Sequence, residues 1–336
     1  MKTYLIIYHK EDNDGIVSAA LFHDYLITKL NIDETDIQLL GTNYNEMEVF
    51  AKSYQPKDLH ETYDHIVLTD ISFNGKYMRS LFDEYQNDFI WCDHHAPIIN
   101  ESILLEFSRT NGIRNTTKSA ILCAYEYLYD QFNERYNKKD IPEIFRILSA
   151  WDSCSCEREG YDFEYVKAIN KAYTIKFNLQ PDLIIQNVHN IIKHWEEEHV
   201  NIFDNDEYFD YGKILNNYDD IVNENIIKTF GDCSWKVKFE DKGIPLYHKA
   251  CAIFHEGASN STMFKCLKDK GINHGLVFKH QSNGNWMMSM YNINEDECTH
   301  CGEFLKERYN GGGHKVAAGC TFTEKQFIKL LRSKIL

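Results

Sequence analysis

Four short segments of the chain place carboxylate or imidazole side chains at or directly after an apolar run. Their members are His9, Asp12 and Asp14 in the first segment, Asp70 in the second, Asp93, His94 and His95 in the third, and Asp152 in the fourth. Mixed histidine and carboxylate ligands suit Mn, Fe or Zn better than Ca. So many such groups in one cleft would repel one another unless cations neutralised them. The pattern therefore predicts a metal centre, provided that the fold brings the four segments together.

Each segment taken alone also has a purely structural interpretation. Asp12 or Asp14 could cap a helix, because aspartate is favoured at the N-cap. Asp70 could end a strand in a turn, the paired histidines could be solvated, and Asp152 could be a surface cap. The combination of all four segments favours the metal centre over these alternatives.

The elements that must position these residues alternate between strand and helix in the first half of the chain. Apolar patterns predict strands over residues 4–8, 37–41, 65–69 and 89–92, and helices over residues 15–30, 77–85 and 117–132. This order predicts an α/β fold with a doubly wound, mainly parallel sheet. Such sheets carry their sites beyond the carboxyl ends of the strands, which is where the four segments lie.

The second half of the chain has a different pattern. A helical region is followed by shorter predicted strands over residues 235–239, 249–254, 275–280 and 286–291, then a helix near 303–309, a glycine-rich loop and a final helix from Glu324. We expect a catalytic domain over residues 1–185, a helical connector over 186–232 and a smaller α/β domain with a mixed sheet over 233–336. The active site is expected in the cleft between the two domains.

Composition limits the function classes. The formal net charge of −15 over 336 residues argues against a protein that coats long duplex DNA, because such proteins need a basic stripe. No apolar stretch is long enough for a transmembrane helix, and the N-terminus lacks the features of a signal peptide, so we expect a cytoplasmic protein without a membrane partner. The ten cysteines are expected to be reduced thiols. Cys298 and Cys301 form only a weak zinc motif, since no second ligand pair accompanies them.

Three motifs resemble those of one known family. Asp93-His94-His95 is similar to the signature of the DHH phosphoesterases, and His9-x-x-Asp12-x-Asp14-Gly15 resembles the opening motif of that family. The stretch Gly311-Gly-Gly-His314-x-x-Ala-Ala-Gly319 resembles the loop of the DHH-associated C-terminal domain. The family includes RecJ-type exonucleases, short-oligoribonucleotide hydrolases, cyclic-dinucleotide phosphodiesterases and family II pyrophosphatases. The resemblance covers the chain from His9 to Gly319.

The resemblance implies a role for each matched residue. It implies two divalent metal ions, Mn²⁺ in the first place and Mg²⁺ or Co²⁺ as alternatives. His9 and Asp12 would bind one ion, Asp14, His94 and Asp152 the other, and Asp70 both. Asp93 would hold an imidazole in its tautomer, and His95 would contact the scissile phosphate or protonate the leaving oxygen. A substrate phosphate would be held by Gly311, Gly312, Gly313 and His314.

The sequence departs from the family pattern at two points. The turn between His9 and Asp12 is one residue shorter than in many relatives. Tyr291 stands where many oligonucleotide-cleaving relatives carry an arginine, and a tyrosine can stack on a base but cannot clamp a phosphate with a bidentate fork.

The expected activity is hydrolysis of short single-stranded oligonucleotides to mononucleotides by water that two metal ions activate. The alternatives are a phosphodiesterase for cyclic or linear dinucleotides and, in another class, a non-catalytic nucleotide-binding protein. The pyrophosphatase branch is less expected, because we find no basic cluster of its kind in the C-terminal region. The family resemblance also allows a homodimer.

Overall fold

The computed structural model describes residues 2–95, 111–130, 141–198, 201–241, 244–256, 261–293, 300–313 and 315–336. The chain separates into two compact units, Met1–Leu215 and Asn216–Leu336. Within the described ranges, no helix combines the length and the apolar character that crossing a bilayer requires. The cysteines of these ranges are all free thiols, and Cys298 lies outside the described residues.

A parallel sheet of four strands forms the centre of the first unit, in the order β2-β1-β3-β4. Every pair of neighbouring strands is parallel. The strands are β1 (Tyr4–His9), β2 (Ile37–Thr42), β3 (His65–Thr69) and β4 (Phe89–Cys92). The predicted α/β class and its parallel sheet are confirmed.

The helices of this unit are α1 (Asn13–Thr28), α2 (Tyr44–Ser53), α3 (Pro56–His60), α4 (Gly75–Tyr85), α5 (Ala120–Asp130), α6 (Glu143–Asp152), α7 (Cys156–Glu159), α8 (Phe163–Phe177) and α9 (Pro181–Glu198). A longer helix, α10 (Asn205–Phe230), follows them. Residues 186–232, for which the sequence predicts a connector, lie mainly in α9 and α10, and the division between the two units falls within α10.

Alternating side chains of β1 pack into two separate cores, one on each face of the sheet. Ile6 packs in a cluster with residues of α1, α5, α6, α8 and α9, whereas Ile7 packs in a cluster with residues of α2, α3 and α4. Both isoleucines are fully buried. This alternation follows from the two-residue period of a strand and confirms a doubly wound sheet with helices on both faces.

The second unit contains a mixed sheet of six strands, in the order β5-β6-β7-β8-β10-β9. Only β6 and β7 pair in parallel, and the other neighbours are antiparallel. The strands are β5 (Asp232–Asp241), β6 (Ile244–Phe254), β7 (His274–His280), β8 (Trp286–Asn292), β9 (Gly312–Gly313) and β10 (Ala317–Phe322), with helices α11 (Cys301–Tyr309) and α12 (Glu324–Ser333). The predicted mixed sheet is confirmed.

The interpretation of residues 311–319 as a loop was wrong in part. Gly312–Gly313 and Ala317–Phe322 are strands that pair with each other. The glycines are needed here because the backbones approach closely: a side chain at Gly313, whose φ is +139°, would lie 2.6 Å from Ala318 Cα.

Candidate metal centre

The carboxyl ends of β1, β3 and β4 carry most of the predicted metal ligands. His9 is the last residue of β1, and Asp70 and His94 follow β3 and β4. Asp70 has a left-handed backbone with φ of +57°, which few non-glycine residues adopt. Its N–H donates to the Cys92 carbonyl at 3.0 Å, so this turn is fixed by the β3–β4 ladder. The parallel sheet therefore brings three of the four segments to one edge.

The first group of ligands consists of His9, Asp12 and Asp70, whose candidate ligand atoms lie within 4.8 Å of one another. His9 Nδ1 lies 2.7 Å from Asp12 Oδ2 and 3.6 Å from Asp70 Oδ2. Asp12 is also the N-cap of α1, because its Oδ1 accepts from the Gly15 amide at 3.0 Å. The capping interpretation and the ligand interpretation of Asp12 are thus compatible.

The second group consists of Asp14, His94 and Asp152, again with candidate ligand atoms within 4.8 Å of one another. His94 Nε2 lies 3.1 Å from Asp152 Oδ2 and 3.6 Å from Asp14 Oδ2. Asp152 is the last residue of α6, which accounts for its arrival from a different part of the chain.

Asp70 lies between the two groups and faces both. Its Oδ2 is 3.6 Å from His9 Nδ1, and its Oδ1 is 3.3 Å from His94 Nε2. The side chain is almost completely buried. One carboxylate whose two oxygens are directed to two ligand groups is the arrangement expected of a residue that bridges two ions.

Asp14 is held by the first turn of a helix that is distant in sequence. Its Oδ2 accepts from the Ala120 amide at 2.8 Å, and its Oδ1 accepts from the Ile121 amide at 3.0 Å. These amides belong to the start of α5, where helix N–H groups lack partners within the helix and favour negative charge. The carboxylate of Asp14 is therefore fixed in position before any ion binds.

Asp93 organises the histidine pair from a fully buried position. Its Oδ1 accepts from the His94 amide at 2.7 Å, from the His95 amide at 3.2 Å and from His95 Nδ1 at 2.8 Å. Its Oδ2 accepts from Trp91 Nε1 at 3.2 Å. Burial raises the pKa of Asp93, but the hydrogen bond with His95 and the nearby imidazoles outweigh burial and hold that pKa below its usual range. An ionised Asp93 keeps the proton of His95 on Nδ1 and leaves Nε2 for other partners.

The acidic groups of the centre favour positive charge there, as the pKa shifts of its carboxylates and imidazoles indicate. Burial and the neighbouring carboxylates raise the pKa of Asp14 and of Asp70. Burial lowers the pKa of His94, but the nearby carboxylates of Asp152 and Asp70 outweigh burial and raise that pKa to about 12. For His9, hydrogen bonds with Asp12 and Asp70 outweigh burial in the same way and raise the pKa to about 10.

This donor set fits divalent ions. It combines carboxylates, of which Asp14 and Asp70 are buried, with imidazoles, and Mn, Fe and Zn accept both kinds of ligand. In the metal-free protein, protons on the imidazoles balance part of the negative charge, and a divalent ion can take their place. The structure thus brings together the predicted ligands His9, Asp12, Asp14, Asp70, His94 and Asp152, with Asp93 and His95 beside them.

Tyr44 borders the centre and is not among the residues selected from the sequence. Its ring centroid lies 6.1 Å from that of His9 and 6.2 Å from that of His95. Burial, together with Asp93, Asp70 and Asp12, raises the pKa of Tyr44, so its hydroxyl stays protonated. The only available signal was its position two residues after β2, at the same edge of the sheet.

Of the predicted phosphate-binding residues of the second unit, two are exposed, one has its amide already bonded, and one lies outside the described residues. Gly312 and Gly313 are exposed, while the Gly311 amide donates to the Leu305 carbonyl at 3.0 Å and is not available to an anion. His314 lies outside the described residues. Tyr291 is buried in an apolar cluster with Phe264, so its ring does not present a surface on which a base could stack.

Comparison with known proteins finds no matching family model and no matching curated protein. Among solved structures, the chain is similar to a pGpG-specific phosphodiesterase from Vibrio cholerae, with 12% identity, coverage of 99% of this chain and 97% of that chain, and a TM-score of 0.48. An exopolyphosphatase-related protein from Bacteroides fragilis matches with 16% identity, coverage of 99% and 91%, and a TM-score of 0.45. RecJ in complex with Mn²⁺ from Thermus thermophilus matches with 12% identity, coverage of 99% and 51%, and a TM-score of 0.47.

Proposed function

We propose that this chain is a divalent-metal phosphoesterase of the DHH type, which hydrolyses short single-stranded oligonucleotides to mononucleotides. The observation that supports this most directly is the position of Asp70, whose two oxygens face the His9 group and the His94 group separately. A centre built around such a carboxylate is suited to two ions that act on one phosphodiester. Manganese is the first candidate, with Mg²⁺ or Co²⁺ as alternatives.

The protein's own residues prepare the centre for this chemistry. Two divalent ions, when bound, would supply Lewis-acid activation of the attacking water and neutralise charge on the phosphoryl oxygens. The carboxylate of Asp14 is pre-positioned by the Ala120 and Ile121 amides, and that of Asp70 by the fixed turn after β3. Preformed ligands of this kind need little reorganisation when the substrate reacts.

His95 is proposed to contact the scissile phosphate or to protonate the leaving oxygen. Its Nδ1 is engaged by Asp93 at 2.8 Å, which directs Nε2 to other partners. Its side chain is 32% exposed, unlike the more buried His94, so a substrate can reach it. Burial lowers the pKa of His95, but Asp93 outweighs burial and raises that pKa, which favours an imidazole able to donate a proton.

A phosphodiesterase for linear or cyclic dinucleotides remains the second candidate, because it would use the same centre on a shorter substrate. A non-catalytic nucleotide-binding protein is disfavoured, since every predicted metal ligand is present at the centre. The proposal that Gly311, Gly312, Gly313 and His314 hold a substrate phosphate rests on the motif alone.

The test is a substrate series with Mn²⁺: a 5′-labelled dinucleotide, a pentanucleotide and a longer strand. We expect mononucleotide release that Asp70→Ala abolishes and that Asp206→Ala, an exposed aspartate in the first turn of α10, leaves unchanged. Preference for the dinucleotide alone would favour the second candidate. Mn²⁺ binding without hydrolysis of any member would refute the proposed activity.

A further inference from the structure

A cavity of about 540 Å³ lies beside the metal centre, between α2 and the segment that joins β3 to α4. Its volume is within the usual range of about 300–1,000 Å³ for small-molecule sites. Tyr44 lines this cavity and also contacts the rings of His9 and His95. A molecule in the cavity would therefore lie next to the residues proposed to act on the scissile phosphate.

A buried hydroxyl without a partner lies in the wall of this cavity. Ser72 is 3% exposed, it lines the cavity, and its Oγ has no hydrogen-bond partner among the described residues. Buried polar groups are normally paired, and an unpaired one is costly. If this hydroxyl turned toward the cavity, a ligand atom there would supply the missing partner.

The amino terminus of α4 also opens into this cavity. Asn74 caps the helix, because its Oδ1 accepts from the Tyr77 amide and its carbonyl accepts from the Met78 amide. The amides of Gly75 and Lys76 have no such intrahelical partner, and both residues line the cavity. The first turn of α4 contains no acidic residue. Such a helix start favours an anion.

The charged residues of the wall add to this preference. Lys52 and Lys76 line the cavity together with one carboxylate, Glu48. Lys52 Nζ lies 3.9 Å from Glu48 Oε2, whereas Lys76 forms no ion pair with an acidic side chain of the described residues, so the cavity wall carries one excess positive charge. In a chain whose net charge is −15, this is a locally positive position close to an acidic metal centre.

We propose that this cavity binds the nucleotide unit next to the scissile bond, with a phosphate of that unit against Ser72, Lys76 and the start of α4. Tyr44 is 44% exposed, so the base of the same unit would be able to stack on its ring, as bases do on aromatic side chains. This inference rests on the proposed function and narrows it. The preferred substrate carries a phosphate in addition to the one that is cleaved.

The first experiment measures binding of a nucleoside monophosphate to the full-length chain by calorimetry, in EDTA and in Mn²⁺. In EDTA the candidate metal centre has more carboxylates than protonated imidazoles, so it repels an anion on balance, and the affinity measured there reflects binding in the cavity. We expect Lys76→Glu to weaken binding roughly tenfold or more under both conditions. The matched control is Lys57→Glu, which makes the same charge change in α3 at an exposed residue outside the cavity lining.

The second experiment compares KM and kcat for two dinucleotides, one with a terminal phosphate and one without. We expect a lower KM for the phosphorylated substrate, and we expect Lys76→Glu and Ser72→Ala to remove most of that difference while kcat changes less. Lys76→Glu places an acid in the first turn of α4, which favours the helix, so thermal unfolding and Mn²⁺ affinity should stay close to wild type.

The outcomes separate the two proposals. Equal monophosphate affinity in Lys76→Glu and wild type would overturn the cavity assignment, even if the chain hydrolyses oligonucleotides. Monophosphate binding that depends on Lys76 in a chain that hydrolyses no phosphodiester would support the cavity and overturn the proposed activity. If inorganic phosphate bound as tightly as the monophosphate, the base would contribute nothing to affinity, and its proposed stacking on Tyr44 would be wrong.

Discussion

Replacing Asp93 with asparagine tests the organisation of the histidine pair without changing side-chain size. Oδ1 of Asp93 accepts three hydrogen bonds from His94 and His95, and Oδ2 accepts one from Trp91 Nε1. Both sides of the carboxylate therefore face donors only. An asparagine has one oxygen, so its amide group must face a donor whichever way the side chain is oriented.

The less costly orientation places the amide group against Trp91 and keeps the oxygen toward the histidines. It loses one hydrogen bond and leaves two buried donors facing each other, at about 1–3 kcal/mol for each unsatisfied group. The negative charge that holds His95 in its tautomer is also lost. We expect the free energy of unfolding to fall by about 2–6 kcal/mol and kcat/KM to fall about 10- to 100-fold, as for other residues that orient a metal-site imidazole.

The assay is steady-state hydrolysis of a labelled short oligonucleotide in saturating Mn²⁺, together with urea denaturation. Asp206→Asn, at an exposed position of α10, is the matched control and should leave both measurements unchanged. Activity of Asp93→Asn within twofold of wild type would show that the charge of Asp93 does not organise His95.

Three further predictions concern other parts of the structure. Gly15→Ala should lower Mn²⁺ affinity by about tenfold or more, measured by titration, because the added carbon would lie 2.0 Å from the His9 carbonyl. Burial lowers the pKa of His274 to about 3, so the unfolded chain binds a proton that the folded chain excludes. The free energy of unfolding should then decrease as the pH falls below about 6.5, by up to about 1.4 kcal/mol per pH unit, and His274→Gln should flatten this slope in urea titrations. Hydrogen bonds from Lys334 and Ser234 hold the pKa of Asp232 at about 2, but this pair is more than a third exposed. Asp232→Asn should therefore cost less than about 1 kcal/mol at neutral pH, and urea denaturation should show this difference disappearing as the pH falls from about 4 toward 2.

The central sheet and the convergence of the candidate ligands were predictable because both depend on local patterns. An apolar run such as Ile66 to Leu68 identifies a buried strand, and a carboxylate just after the strand, such as Asp70, must lie at the carboxyl edge of a parallel sheet. The resemblance to a known family then assigned roles to residues that the pattern had already selected.

The remaining features depend on contacts that no local pattern records. The hydrogen bonds that the Ala120 and Ile121 amides donate to Asp14 join residues more than 100 positions apart. The strand Ala317–Phe322 was missed because its glycine-rich approach is typical of a loop. That the Ser72 hydroxyl has no hydrogen-bond partner among the described residues follows from the positions of all its neighbours in space and from no sequence pattern.

The candidate ligands of the metal centre come from the end of β1, the start of α1, the turns after β3 and β4, and the end of α6. A bound ion would thus join distant segments of the first unit, as a cross-link does in a protein that has disulfides. The described cysteines are free thiols, so this unit contains no covalent cross-link within those residues. Because ions bind the assembled ligands and not the separated segments, metal at 100 times its dissociation constant would add about 2.7 kcal/mol to the free energy of unfolding. The free metal concentration would then affect the stability of the folded unit as well as its rate of hydrolysis.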